Sequence, residues 1–148
     1  MTGVVGLTTM GGSGVRTTKV VEVLPRKVLV VDDDDIIREV AKLALEVVGG
    51  WQVSTATNGQ EAGRLASSDR PDVVLLDVMM PALDGPGTAA LLREDPVTRG
   101  VPVIFLTAKT PLGDERLESE PNVVGVISKP FDPMMLAQQI NRLTGWEE

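Results

Sequence analysis

Residues 27–48 read KVLVVDDDDIIREVAKLALEVV, and three local patterns follow one another there without a break. Val28 to Val31 is a short continuous apolar run, the signature of a strand buried on both faces. Four aspartates, Asp32 to Asp35, come next. Ile37, Val40, Ala41, Ala44, Leu45 and Val48 then recur at helical spacing and make one apolar stripe. Gly49-Gly50 ends that helix. A buried strand that runs into acids and then into an amphipathic helix is the opening unit of an α/β sheet.

The same unit repeats down the chain. Trp51 to Ala56 reads as a second strand, and Asn58 as the N-cap of a helix from Gly59 to about Ser67. Pro71 precedes a third strand, Val73 to Leu76, and Gly85-Pro86 opens a third helix ending near Glu94. Val101 to Leu106 is a fourth strand. Residues 112–119, between Pro111 and Pro121, are a weak fourth helix. Val123 to Ile127 is a fifth strand. Asp132 caps a last helix with Pro133 at its first position, and Leu136, Ile140 and Leu143 form its stripe. Five alternations of strand and helix predict an α/β fold: a five-stranded parallel sheet, doubly wound, with helices on both faces and right-handed crossovers. Residues 1–26 are Gly/Thr-rich, show no strand or helix period, and read as a flexible leader ahead of a domain at 27–146. The GGSG at 11–14 reads as linker rather than phosphate loop, because no Gly-Lys-Ser/Thr follows it.

Composition narrows the chemistry. The chain has 148 residues, 43% hydrophobic and 24% charged, which suits one globular domain. A net charge of −7 argues against nucleic acid as a partner. Neither cysteine nor histidine occurs, which excludes disulfides, thiol nucleophiles, zinc sites of the usual donors and histidine bases. No apolar run reaches the ~20 residues of a membrane-spanning helix, and Met1 to Gly14 lacks the basic start of a secretory signal. A cytoplasmic protein, away from membranes, is the expectation.

In a parallel sheet all strands point one way, so chemistry gathers at their carboxyl ends. Those ends carry Asp32-Asp33, Asp77, Thr107 and Ser128-Lys129. Converging carboxylates need a cation, and with no His or Cys a hard, oxygen-seeking ion fits, Mg²⁺ above all. Carboxylate, Mg²⁺, hydroxyl and ammonium together suit phosphoryl transfer, in which a carboxylate can be the nucleophile.

Five segments together, VLVVDDDDIIREV, ATNGQEA, PDVVLLDVMMPALDG, VPVIFLTAK and GVISKPFDP, resemble the receiver domain of two-component response regulators, over roughly residues 27–145. The resemblance implies a flavodoxin-like sheet of order 2-1-3-4-5, with Asp77 as phospho-acceptor. It implies that Asp33 binds Mg²⁺ directly, that Asp32 helps hold it, partly through water, and that the Met79 backbone carbonyl is a further ligand. Thr107 would hydrogen-bond the phosphoryl group, Lys129 would pair with it, and Pro130 would follow through a cis peptide. The partners implied are a sensor histidine kinase or a histidine phosphotransfer protein, and an output protein reached by contact or phosphorelay. On this reading the chain is a stand-alone receiver, monomer or weak homodimer, and no enzyme beyond its own phosphorylation and dephosphorylation.

Several positions are particular to this chain. Asp35 stands where proline is common in the family and is expected to face outward as the helix cap. Val126 stands where the family usually has Tyr or Phe, and a valine cannot report a movement of Thr107 in the way that aromatic does. Met79, Met80, Met134 and Met135 are expected to pack, and Trp51 and Trp146 to sit at edges. The resemblance implies that the positions of Met79 and Lys109 border the route of a water attacking the phosphorylated acid, and because Met79 offers that water no hydrogen bond it predicts slow self-dephosphorylation. Two rivals remain. A haloacid-dehalogenase-like phosphohydrolase would use Asp32-x-Asp34. A receiver-like interaction module would act without phosphorylation.

Overall fold

The computed structural model describes residues 3–10, 16–108 and 120–146, with backbone alone considered up to residue 23. Gly3–Met10 (β1) and Arg16–Val23 (β2) form a separate two-stranded antiparallel sheet. The main sheet consists of Lys27–Val31 (β3), Gln52–Ala56 (β4), Val73–Asp77 (β5), Val103–Thr107 (β6) and Val123–Ser128 (β7). Its order is β4-β3-β5-β6-β7 and all neighbours are parallel. This is the 2-1-3-4-5 order of a doubly wound sheet. The described helices are Asp35–Val47 (α1), Gly59–Asp69 (α2), Gly85–Glu94 (α3) and Leu136–Thr144 (α4).

Val28–Val31 of β3, Val73–Leu76 of β5 and Val103–Leu106 of β6 are apolar without interruption because both faces of these strands are covered. Alternate side chains enter two separate cores. Leu29, Val31, Val74, Leu76, Val103 and Phe105 pack with Ala62 and Ala66 of α2 and Ala89 and Leu92 of α3. Val28, Val30, Val73, Leu75, Ile104 and Leu106 pack with Ala41, Ala44 and Leu45 of α1 and Leu136, Ala137 and Ile140 of α4. The second core is closed by Trp51 and Trp146, whose rings meet edge-on at 5.8 Å, with the Arg26 guanidinium 4.0 Å over Trp146.

The helix starts show why the crossovers hold. Asp34 caps α1 by accepting from the amides of Ile36 and Ile37, Asn58 caps α2 through Glu61, and Asp84 caps α3 through Gly87. The α2 helix ends on Arg70 in the left-handed region. Gly85 lets the α3 start sit against the main chain after β5: a Cβ there would lie 2.7 Å from the Asp77 carbonyl oxygen.

Several expectations need correction. Residues 1–26 were expected to hold no strand, yet β1 and β2 pair over eight residues each, with Val5 opposite Val21 and Thr9 opposite Thr17. Two β-branched runs around a Gly-rich stretch carry the signal of a hairpin. The cap of α1 is Asp34, not Asp35, which lies one residue inside the helix. The last helix starts at Leu136 rather than Pro133. Asp132 instead accepts from the Met134 amide and closes a turn ahead of α4. Met80 is buried as expected, but Met79, Met134 and Met135 are exposed, Met79 at 73%. The helix expected at 112–119, and Lys109, lie outside the described residues.

Candidate functional site

At the carboxyl edge of the sheet, β3 delivers Asp32 and Asp33 and β5 delivers Asp77. An oxygen from each of these three carboxylates lies within 4.8 Å of one from the others. Adjacent parallel strands, ending at nearly the same height, force that approach.

Asp32 is wholly buried and held from several directions. Its amide donates to the Ala56 carbonyl, 3.2 Å. Its Oδ1 accepts from the Asp34 amide at 2.9 Å, and its Oδ2 lies 2.7 Å from Lys129 Nζ. Asp77 is nearly as deep, 4% exposed, and its Oδ1 takes both Lys129 Nζ at 3.0 Å and the Met79 amide at 3.3 Å. Asp33, in contrast, is exposed. Lys129 reaches the acids from the end of β7, after its amide donates to the Thr107 carbonyl at 2.7 Å, and Lys129-Pro130 is cis. Thr107 closes β6 beside these groups and is itself buried.

Three carboxylates against one ammonium leave two negative charges in a half-enclosed space. Burial pushes the Asp77 carboxyl up from 3.8 to about 6, against the pull of its hydrogen bond from Lys129. The Asp32 charge adds to the rise, while the Lys129 charge and the Met79 amide oppose it. Burial also works against the Lys129 ammonium, but its contacts with Asp32 and Asp77 outweigh that and raise the amine above its ordinary value. The ammonium is therefore a permanent charge, and Asp77 is the acid whose ionisation is hardest to sustain without further positive charge.

The donors on offer are all hard oxygens. That set, small in number and partly open to water, fits Mg²⁺, which keeps several of its own waters. Asp32, Asp33 and Asp77 are the side chains that would hold it.

The sequence-predicted acids and Lys129 thus come together, with Thr107 at the same edge. Met79 contributes its amide to Asp77 but turns its side chain to solvent. Arg38 was not foreseen: its Nη1 donates to the Asp32 carbonyl oxygen at 2.8 Å. Its partner is a main-chain oxygen, so the side-chain pattern of the sequence carries no signal for it.

Comparison with known proteins agrees with this geometry. The family model described as "Response regulator receiver domain" matches residues 28–141. "Response regulator PleD" of Caulobacter vibrioides is 40% identical over 120 residues, 80% of this chain and 26% of that protein. This chain spans about a quarter to a half of the length of the curated relatives it matches. Among solved structures, the chemotaxis response regulator CheY4 of Vibrio cholerae superposes with a TM-score of 0.75 at 31% identity, over 80% of this chain and 98% of that one. The receiver domain of sensor histidine kinase PA1611 from Pseudomonas aeruginosa, described with a magnesium ion coordinated in its active-site cleft, gives 0.72 at 28%, over 82% and 98%. With matched sequence, matched topology and acids meeting where the topology requires, this chain belongs to the response regulator receiver family.

Proposed function

We propose that Asp77 accepts a phosphoryl group from a phosphohistidine of a sensor kinase or histidine phosphotransfer protein, with Mg²⁺ required. The observation that carries this reading is the placement of Lys129 Nζ between two buried carboxylates, 3.0 Å from Asp77 and 2.7 Å from Asp32. Asp77 attacks phosphorus through a carboxylate oxygen. The new P–O bond forms as the P–N bond to the donor imidazole breaks. Lys129 already lies against the Asp77 carboxylate that would receive the phosphoryl group, so its ammonium would stand beside the charge gathering on the phosphoryl oxygens, and Thr107 offers a hydroxyl at the same edge. Bound Mg²⁺ would supply the positive charge that keeps Asp77 ionised and shields the incoming phosphoryl oxygens. Asp32, Asp33, Asp77 and the Met79 backbone carbonyl are the proposed ligands.

The domain catalyses only its own phosphorylation and its later dephosphorylation by water. It passes the signal on by protein contact or by a further phosphorelay step, in the cytoplasm where such donors act. Phosphorylation biases an equilibrium between two conformations of this edge.

The phosphohydrolase alternative needs Asp34 as a second reacting acid. Its carboxylate is engaged as the α1 cap, accepting from Ile36 and Ile37, which favours the receiver reading. Incubation with p-nitrophenyl phosphate and with acetyl phosphate separates the two. The expected result is stoichiometric, EDTA-sensitive labelling by acetyl phosphate. Sustained turnover of the phenyl ester would overturn it.

A further inference from the structure

Asp32 and Asp33 both belong to the proposed ligand set but are held differently. Every polar group of Asp32 has a defined neighbour: its amide meets Ala56, its Oδ1 the Asp34 amide, its Oδ2 the Lys129 ammonium and its carbonyl Arg38. Asp33 is exposed, and no side-chain anchor for it is seen among the described residues. What orients Asp33 is the peptide that joins it to Asp32. That peptide's carbonyl oxygen takes the hydrogen bond from Arg38 Nη1 at 2.8 Å.

The guanidinium is well placed for this. Arg38 lies on the first turn of α1 with its side chain only 16% exposed. Its second nitrogen, Nη2, pairs with the Asp35 carboxylate. One planar fork therefore ties the loop carrying the acids to the helix that follows it. Because Arg presents rigid, divergent donors, the bond to Asp32 and the exposed pair with Asp35 form at the same time, and the bond to Asp32 is the one that reaches the acid loop.

We propose that Arg38 is a positioning residue for the cation site: by pinning the Asp32–Asp33 peptide it aims the otherwise unanchored Asp33 carboxylate at the ion. This rests on the reading of the site as a Mg²⁺-dependent phosphoryl acceptor. It also makes a prediction whose sign opposes simple electrostatics. Arg38 is a cation near a cation site, so removing its charge alone would tighten Mg²⁺ binding. Removing a support of a metal ligand weakens binding, typically 10- to 100-fold.

The test is Mg²⁺ titration of the full chain followed by amide shifts in NMR, with thermal unfolding in the absence of Mg²⁺ measured beside it. Arg38→Met keeps the aliphatic stem and removes the donors. Its Mg²⁺ Kd should rise roughly 10-fold or more. Arg38→Lys restores one donor and should recover part of that loss, whereas a purely electrostatic role would tighten binding in Arg38→Met and leave Arg38→Lys at the wild-type value. Asp35→Ala removes the other end of the fork's anchor but leaves the bond to Asp32, and should stay within about threefold of wild type. Should Arg38→Met not fold, Arg38→Lys alone decides: a Kd equal to wild type overturns the proposal and a raised one supports it. An unchanged or lowered Kd in folded Arg38→Met also overturns it. If the wild type itself binds no Mg²⁺ and takes no phosphoryl group from acetyl phosphate, the functional reading fails. If the wild type does both and Arg38→Met matches it, only the role of Arg38 falls.

Discussion

Replacing Asp77 by asparagine should make the protein more stable at neutral pH while removing the proposed phosphoryl acceptor. Asp77 is 4% exposed and its carboxyl titrates near 6 in the fold, against 3.8 as an ordinary side chain. An acid whose folded value lies above its unfolded one favours the fold while both states are protonated, below about pH 4. It loses that advantage as pH rises through 6. By pH 7.5 the ionised carboxylate costs the fold about 3 kcal/mol relative to a neutral group, and at pH 4 only about 0.5 kcal/mol. Asparagine stays neutral throughout and nearly matches the shape. Lys129 keeps Asp32 at 2.7 Å, so no buried charge is left alone. The variant should therefore gain about 2.5 kcal/mol on wild type between pH 4 and pH 7.5. Urea unfolding at the two pH values, without Mg²⁺, measures this directly. A stability difference that is independent of pH, or that grows toward acid, would refute the reasoning that burial strains this carboxylate.

Other perturbations reach the same structure from different sides. A site that holds Mg²⁺ in the fold and not in the unfolded chain should, at tenfold the Kd, stabilise wild type by roughly 1.4 kcal/mol and Asp33→Ala much less; equal Mg²⁺ effects on melting would contradict the assignment. Met79→Asn puts a hydrogen-bonding side chain on an exposed position two residues past Asp77 and should speed loss of the phosphoryl group several-fold; an unchanged decay by phosphate release counts against it. Gly85→Ala forces a Cβ to 2.7 Å from the Asp77 carbonyl and 2.8 Å from Val78 Cα, which should cost about 1–3 kcal/mol and slow phosphorylation; normal stability and rate would show that the α3 start can move freely. Ala82 sits at φ 65°, so Ala82→Gly should stabilise by roughly 0.5–1 kcal/mol, the relief of left-handed strain less the entropy of glycine; thermal melts check the sign.

Much of the fold could be read from the chain because its strands are buried on both faces. Val28–Val31, Val73–Leu76 and Val103–Leu106 are continuous apolar runs, which short amphipathic helices separate at regular intervals. Acids at the ends of β3 and β5 then had to meet. What escaped the sequence depended on local competition. Either of Asp34 and Asp35 could cap α1, and only the turn of the backbone decides between them. Asp132-Pro133 looks like a helix start, yet the turn it closes delays α4 to Leu136. Met79 looks like core material, but its amide is drawn to Asp77 and the side chain is left outward. The β1–β2 pairing lies in a stretch where Thr and Gly dilute the apolar alternation. Arg38 was hidden because its partner is a main-chain oxygen, which no side-chain pattern advertises.

The most direct trial of the account is intact mass spectrometry of the protein after incubation with acetyl phosphate and Mg²⁺, run alongside Asp77→Asn. The account predicts one added phosphoryl group on the wild type, lost when EDTA is present, and none on the variant. A phosphoryl group on the variant, or none on a folded wild type with Mg²⁺ in excess, would contradict it.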